Sequence, residues 1–267
     1  MTVSRSEIQK TQEQKISSES ADDLYSYTVD LRDGNKVLNT FAIPIKYITD
    51  DGKIKFVENK IEQTNSKSDF YKTHTYKSSD SPVETYFPNN IRYGVITGNA
   101  KVTLIPNIKN NSFGEKSVSK SFDGVNYERM LYKNTFGNGI DLEYVPSAIG
   151  LKENIIINEY NGNSKFNFIL KLEGLKPVLE DGIILIDKIT QEPVGVINEV
   201  DMRDSYKGEP DGGIHFTLNN RMFISPTVNK DEYILQISVD EEFLKSEKTV
   251  YPVIIDPSVG FSAGPHL

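Results

Sequence analysis

The hydrophobic pattern along most of this chain has a period of two. From residue 24 to about residue 47, apolar and polar positions alternate on both sides of the Asp33-Gly34 pair, and similar short segments recur up to residue 255. Such alternation predicts strands with one buried face, and Asp-Gly steps, as at Asp51-Gly52, predict tight hairpin turns. Only residues 240–245 favour a helical turn. We therefore expect an all-β fold of mostly antiparallel strands.

The alternation is clearest in the second half of the chain. Phe166, Phe168, Leu170 and Leu172 occupy every second position, so they are predicted to share a buried face. Short strands separated by turn residues, at a spacing of roughly eight to twelve residues, are typical of β-sandwiches. The pattern predicts two β-sandwich-like lobes.

Changes in composition predict where the lobes begin and end. Residues 1–23 are rich in Gln, Glu, Lys and Ser and have too few apolar groups to offset the entropy of ordering, so they are expected to form a flexible lead-in. A polar, glycine-containing stretch near residue 114 suggests a boundary. We assign residues 24–114 to a first β lobe, 115–259 to a second β-sandwich lobe, and 260–267 to a tail.

The charge and the cysteine content of the chain argue against several classes of function. The chain has 30 basic and 38 acidic residues, a formal charge of −8, and no basic cluster interleaved with aromatic residues. Since binding to phosphates needs a basic face, nucleic acid is not expected as a partner. The absence of cysteine excludes disulfides, thiol catalysis and cysteine-bound zinc.

The hydropathy pattern predicts no membrane span. A membrane helix needs about eighteen or more consecutive apolar residues, and no such run occurs. The first thirty residues also lack the apolar core of a signal peptide. Any export signal is therefore expected outside this sequence.

The sequence contains no motif that is typical of an enzyme. His74, His215 and His266 do not lie at metal-ligand or triad spacing, and no Gly-x-Ser-x-Gly occurs. Carboxylates are abundant enough for a glycosidase pair, but no tryptophan is present to form a sugar platform. We predict no catalytic residue, no cofactor and no enzyme activity.

A weak calcium hypothesis concerns the loop after residue 200. Asp201, Asp204, Glu209 and Asp211 concentrate oxygen ligands in a glycine-containing segment, which suits a hard cation. Their spacing does not match an EF-hand. The alternative is that they are solvated turn residues.

Three tyrosines are candidates for ligand contact. Most aromatic residues follow the strand period, but Tyr71, Tyr76 and Tyr206 lie in polar segments. An aromatic ring in such a place can stack on a glycan or a protein partner.

The most informative local motif spans residues 132–144. Gly137 and Gly139 allow a sharp turn, after which Ile140 and Leu142 are predicted to point into the core. Asp141, on the opposite face, is expected to accept hydrogen bonds from turn amides.

This motif is part of a longer resemblance. Further matching segments follow in order at residues 150–155, 166–168, 172–177 and 251–257, with a looser match at residues 42–53. Together they resemble the non-repetitive module that precedes DNRLRE-type adhesin domains or RHS/YD-repeat, wall-associated regions in Gram-positive surface proteins. The resemblance implies a secreted or cell-surface β-sandwich module of a longer protein and supplies no catalytic residues.

The sequence therefore predicts a non-catalytic structural or interaction module that links or caps downstream repeats. Its expected partners are other domains of the same chain. Two alternatives stay open: an adhesin module that binds a glycan or an extracellular protein, and the delivery or encapsulation part of an RHS-type polymorphic toxin.

Overall fold

The structure is a computed structural model that describes residues 16–17, 24–30, 35–41, 44–49, 51–64, 69–99, 101–120, 126–207 and 215–261. Its first strands are β1 (Ile16–Ser17), β2 (Ser26–Asp30), β3 (Lys36–Thr40), β4 (Lys46–Ile48), β5 (Ile54–Phe56), β6 (Lys60–Gln63), β7 (Tyr76–Ser79), β8 (Tyr86–Phe87), β9 (Val95–Thr97) and β10 (Val102–Pro106). Then follow β11 (Gly114–Lys120), β12 (Asn126–Tyr132), β13 (Ile140–Ser147), β14 (Gly150–Ile157), β15 (Lys165–Leu172), β16 (Leu175–Glu180) and β17 (Gly182–Asp187). The last are β18 (Pro193–Ile197), β19 (Asp201–Arg203), β20 (Phe216–Thr217), β21 (Arg221–Pro226), β22 (Glu232–Ser238), β23 (Val253–Asp256) and β24 (Val259–Phe261). Helical segments are α1 (Asp69–Thr73), α2 (Glu241–Lys245) and a 3-10 turn at Ile91–Tyr93.

Two large antiparallel sheets form the body of the protein. One has the strand order β21-β22-β15-β10-β9-β8-β7-β6. The other has the path β11-β12-β13-β14-β24-β18-β17-β16, with β23, β19 and β20 attached beside β14. The predicted all-β, sandwich-like fold is confirmed.

One hydrophobic core joins the two sheets. Phe166, Phe168, Leu170 and Leu172 of β15 are fully buried, as their alternation predicted. They belong to the same cluster of buried side chains as Leu142 of β13 and Ile155 of β14. The period-two pattern thus identified the face of β15 on which the core is built.

Two smaller hairpin units precede this body. β2 pairs with β3, and β4 pairs with β5, so both predicted hairpins are confirmed. Gly52 has φ of +78°, the conformation that the Asp-Gly step was expected to supply. The turn at Asp33-Gly34 lies outside the described residues, as does the predicted lead-in apart from β1.

Strand pairing crosses the predicted lobe boundary near residue 114. β10, from before the boundary, pairs with β15, from after it, over five residue pairs from Val102↔Leu172 to Pro106↔Phe168. The division of the chain into a first lobe at residues 24–114 and a second lobe at residues 115–259 stays a prediction. At the other end, β24 extends to Phe261, two residues beyond the predicted end of the second lobe.

The turn between β12 and β13 has the predicted geometry. Gly137 and Gly139 have φ of +106° and +77°. Asp141 accepts hydrogen bonds from the backbone N–H of Asn134, at 2.8 Å, and from the side-chain amide of Asn158, at 3.0 Å. The Asp141 carboxylate therefore holds both the turn and the neighbouring end of β14.

The predicted helical turn is confirmed as α2. Asp240 is its N-cap, since its carboxylate accepts from the backbone N–H of Phe243 at 3.1 Å. Leu244 is buried and anchors the turn to the core.

Candidate functional site

The strongest polar arrangement near a predicted site lies just after β19. We call Asp204, Tyr206 and His215 the Asp204 cluster. β19 pairs with both β23 and β20, and this pairing brings residue 204 beside residue 215 and residue 250. Eight residues separate Tyr206 from His215 in sequence, so the pairing of β19 with β20, and not local sequence, brings them together.

Asp204 is the buried centre of the cluster. Its carboxylate accepts hydrogen bonds from the backbone N–H groups of Tyr206, at 3.0 Å, and Val250, at 2.8 Å. The His215 Nδ1 atom lies 3.3 Å from Asp204 Oδ2. Because an ionised carboxylate only accepts, Nδ1 donates this hydrogen bond and Nε2 is left as the second polar atom of the ring.

Tyr206 covers one face of the imidazole. The two ring centroids are 4.0 Å apart and the planes differ by 3°. The His215 side chain is 40% exposed. An imidazole oriented by a buried carboxylate and reachable by solvent can exchange a proton at Nε2, which is how general acids and bases are commonly arranged.

The neighbouring hydroxyl group already has a partner. Ser205 Oγ donates to the carbonyl oxygen of Pro252 at 2.6 Å. No spacing in the sequence related His215 to a partner, whereas the structure places the Asp204 carboxylate beside its ring. The signal in the sequence was an acid, Asp204, and a histidine, His215, with three glycines between them.

Of the four calcium candidates, one belongs to the Asp204 cluster, one lies on β19, and two lie outside the described residues. Asp201 lies on β19 directly opposite Asp256 of β23. Burial, followed by the charge of Asp256, raises the pKa of Asp201. Asp204 is occupied by the hydrogen bonds above, while Glu209 and Asp211 lie outside the described residues. Within the part that the structure describes, no three His, Cys, Asp or Glu side chains are grouped to hold a metal ion, and the calcium hypothesis stays a prediction.

The three candidate tyrosines are not brought together. Tyr206 belongs to the Asp204 cluster, whereas Tyr76 is half-buried on β7 and packs against the core. Tyr71 lies in α1, and its side chain is outside the described part of the structure. Their role in ligand contact stays a prediction.

His74 is a structural residue of the interior. Its Nε2 lies 3.0 Å from the Gly94 carbonyl oxygen, its Nδ1 lies 3.1 Å from Thr73 Oγ1, and Phe70 stacks on the ring. Burial lowers the pKa of His74. His266 lies outside the described residues.

A second polar group is buried in the sheet formed by β12, β13 and β14. Glu143 is 2% exposed and forms an ion pair with Arg129. Its other oxygen accepts from the Asn154 side-chain amide at 2.6 Å. Both carboxylate oxygens are therefore satisfied, and the group ties three strands together.

Glu153, next to Asn154 in β14, has a perturbed acidity. Burial, with a smaller contribution from Asp256, raises the pKa of Glu153 to about 8, although Tyr144 acts in the opposite direction. The Tyr144 hydroxyl lies beside it without a hydrogen bond of ordinary geometry. Its side chain is 2% exposed and lies on the same face of β14 as Leu151 and Ile155.

The fold and the Asp204 cluster define an all-β sandwich-like protein with an oriented imidazole near its surface. Within the described residues, no helix has the length and apolar character needed to cross a membrane. No family model matches the chain, and no solved structure matches it.

Three curated relatives do match. The chain is 31% identical over 133 residues to the tRNA nuclease WapA of Bacillus subtilis (strain 168). It is 30% identical to the tRNA(Glu)-specific nuclease WapA of Bacillus subtilis subsp. natto (strain BEST195), and 29% identical to the tRNA3(Ser)-specific nuclease WapA of Bacillus spizizenii. In each case the match covers 50% of this chain but only 6% of the relative.

These relatives overturn several sequence-based expectations. Relatives named as tRNA nucleases conflict with four of them. These are the resemblance to a module that precedes DNRLRE-type regions, the non-catalytic function, the absence of enzyme activity and the exclusion of nucleic acid as a partner. The error on nucleic acid has a physical cause. A net charge of −8 describes this chain alone, and the matched region is a small part of each nuclease, so it does not report the charge of the whole protein.

Proposed function

We propose that this chain is part of a nuclease toxin that acts on tRNA, and that its β-sandwich serves the delivery or encapsulation of the nuclease. The observation that carries the proposal is the similarity over 133 residues to three proteins, each named as a tRNA nuclease. Two of them are named for different specificities, for tRNA(Glu) and for tRNA3(Ser), yet they are nearly equally identical to this chain, at 30% and 29%. A region shared by nucleases of different specificity fits a common role better than substrate choice.

The physical character of the domain supports this role. Two large sheets share one core, so the body can serve as a stable scaffold next to a catalytic part. A secreted or cell-surface location accompanies the proposal, since delivery requires export.

The test compares the 267-residue chain with the full-length protein that contains it. Each is incubated with total tRNA, and cleavage is read on a denaturing gel and by primer extension. We expect cleavage by the full-length protein and intact tRNA with the chain alone. Intact tRNA in both reactions would overturn the nuclease proposal.

Cleavage by the chain alone would overturn the delivery role and place the active site within this sequence. His215→Ala would then be the decisive variant, because His215 is an oriented and partly exposed imidazole. Loss of cleavage in that variant, with Lys207→Ala as a nearby exposed control, would assign the acid-base chemistry to the Asp204 cluster.

A further inference from the structure

Two Asn-Gly pairs lie in neighbouring turns of the second half of the chain. Asn138-Gly139 belongs to the turn between β12 and β13, and Asn161-Gly162 belongs to the turn between β14 and β15. The two turns are tied together, because the side-chain amide of Asn161 donates to the carbonyl oxygen of Asn138 at 2.9 Å. Both asparagines are exposed, so water reaches both pairs.

An Asn-Gly pair can react without any other protein group. The backbone nitrogen of the glycine attacks the side-chain carbonyl carbon, Cγ, of the asparagine, and the absence of a glycine side chain leaves this approach open. A C–N bond forms and closes a cyclic imide. The bond from Cγ to the side-chain nitrogen breaks, and this nitrogen leaves as ammonia with the proton that the backbone nitrogen gives up. Water then opens the imide and leaves either aspartate or isoaspartate.

The surroundings of Asn161-Gly162 favour this reaction. Within the described part of the chain, the backbone N–H of Gly162 donates to no other group, so the attacking nitrogen is free. A side chain at Gly162 would meet no atom within 4 Å beyond its two chain neighbours, so the site has room for the imide. Asn161 Oδ1 accepts from the backbone N–H of Asn163 at 3.1 Å. Negative charge develops on this oxygen when Cγ is attacked, and a donor already in place stabilises it.

The surroundings of Asn138-Gly139 oppose the same reaction. The backbone N–H of Gly139 donates to Asn134 Oδ1 at 2.9 Å, so the nitrogen that would attack is already engaged. The carbonyl oxygen of Gly139 accepts from the backbone N–H of Asn158 at 2.7 Å. The glycine is therefore held at both its N–H and its carbonyl group, and at least one hydrogen bond must be given up before the imide can form. The two pairs have the same sequence but different reactivity.

We propose that Asn161 is a site of spontaneous deamidation, at which the folded protein replaces the amide that ties its two turns with a carboxylate. An ionised carboxylate only accepts hydrogen bonds, and so does the carbonyl oxygen of Asn138 that it would face. The tie between the turns is therefore lost. In the isoaspartate product the backbone also runs through the former side chain and is longer by one carbon atom, so the turn between β14 and β15 changes its course. The modification accumulates with the age of the molecule.

The test measures deamidation at each asparagine in the folded and in the unfolded chain. Purified protein is kept at mildly alkaline pH for several weeks, with and without guanidinium chloride, and is then digested. Mass spectrometry of the peptides reads the mass gain that accompanies the exchange of –NH2 for –OH. In the folded protein we expect Asn161 to react at least about fivefold faster than Asn138, the factor that one hydrogen bond supplies. In the unfolded protein the two rates should be nearly equal, because both pairs are Asn-Gly.

Two variants test the physical causes. Asn134→Ala removes the acceptor of the Gly139 N–H, so it should raise the rate at Asn138 and leave the rate at Asn161 unchanged. Asn161→Asp introduces the carboxylate directly and should lower the midpoint of thermal unfolding. Asn198→Asp is the control for added charge, because Asn198 is exposed and its side chain has no hydrogen bond within the described residues; it should leave the midpoint unchanged.

Three results would overturn the proposal. One is an Asn161 amide that stays intact in the folded protein while it reacts in the unfolded protein, which would show that the fold protects it. The second is a rate at Asn138 equal to or greater than that at Asn161 in the folded protein. The third is an equal change of the unfolding midpoint in Asn161→Asp and Asn198→Asp, which would show that the amide of Asn161 ties nothing.

Discussion

Glu153 of β14 and Tyr144 of β13 are direct cross-strand partners, and both side chains are buried on the face of the sheet that packs against the core. A carboxyl group in this position loses its hydration, and this loss is the main reason that the pKa of Glu153 is raised to about 8. The same contact raises the pKa of Tyr144, after the larger effect of its own burial. At neutral pH the interior therefore holds Glu153 mainly as the neutral acid.

Stability should fall with rising pH because of Glu153. Its ordinary pKa is 4.5 and its folded pKa is about 8, so the folded state binds the proton more tightly. The contribution of this proton binding to the free energy of unfolding is fully present below about pH 4.5 and is lost as the pH rises through about 8. Between these values the free energy of unfolding falls by about 1.4 kcal/mol per pH unit. Glu153→Gln should remove this slope, and urea denaturation at several pH values measures it.

The exposed residue Glu247 supplies the control for that experiment. Glu247→Gln should retain the pH dependence of the wild-type protein. A difference between wild type and Glu153→Gln that stays constant from pH 5 to pH 8 would show that Glu153 is ionised in the folded protein.

Phe168→Ala should destabilise the protein by about 3 to 5 kcal/mol. Phe168 is fully buried on β15, and its ring meets Phe136 edge-on with centroids 5.4 Å apart, so truncation leaves a cavity between the sheets. The measurement is the free energy of unfolding in urea. Phe113→Ala, at a residue that is 63% exposed, should stay within about 0.5 kcal/mol of wild type. Equal effects of the two variants would contradict the assigned sheet face.

Asp141→Ala should destabilise the β12–β13 turn by about 1 to 2 kcal/mol. It leaves the Asn134 N–H and the Asn158 side-chain amide without their acceptor. Asp141→Asn keeps one acceptor oxygen and should recover part of the loss. Thermal unfolding of both variants provides the comparison, and a cost for Asn as large as that for Ala would mean that charge, and not hydrogen bonding, holds the turn.

Asp204→Ala should cost more than His215→Ala. Asp204 is buried and accepts the Val250 N–H at 2.8 Å, so its loss leaves buried donors unpaired, at about 1 to 3 kcal/mol. His215 is 40% exposed, and its hydrogen bond to Asp204 contributes less, about 1 kcal/mol or below. Unfolding free energies of the two variants test the order. The reverse order would show that His215 anchors the cluster.

Local sequence patterns predicted the local features of this protein. The turn at Gly137 and Gly139, the buried side chains of Ile140 and Leu142, and the helical turn at residues 240–245 follow from patterns within a few positions, and all three were predicted. Each relies on a conformational preference that operates within a few positions.

Contacts between strands that are far apart in the sequence were not predicted. The Asp204–His215 contact needs β19 and β20 to pair, and the pairing of β10 with β15 joins residues more than sixty positions apart. Register between distant strands is set by the whole sheet. Glu153 is an intermediate case, because it shares the period of Leu151 and Ile155 and could have been recognised as buried from that alternation.

The pairing of β14 with β23 and β24 has a consequence for synthesis on the ribosome. β14 ends at Ile157, but its partners on one side begin only at Val253. While the intervening segment is being made, one edge of β14 stays open and exposes Ile155 and Ile157, which the finished sheet covers completely. That open edge can pair with another chain until β23 and β24 emerge, which favours aggregation of the nascent protein during this interval.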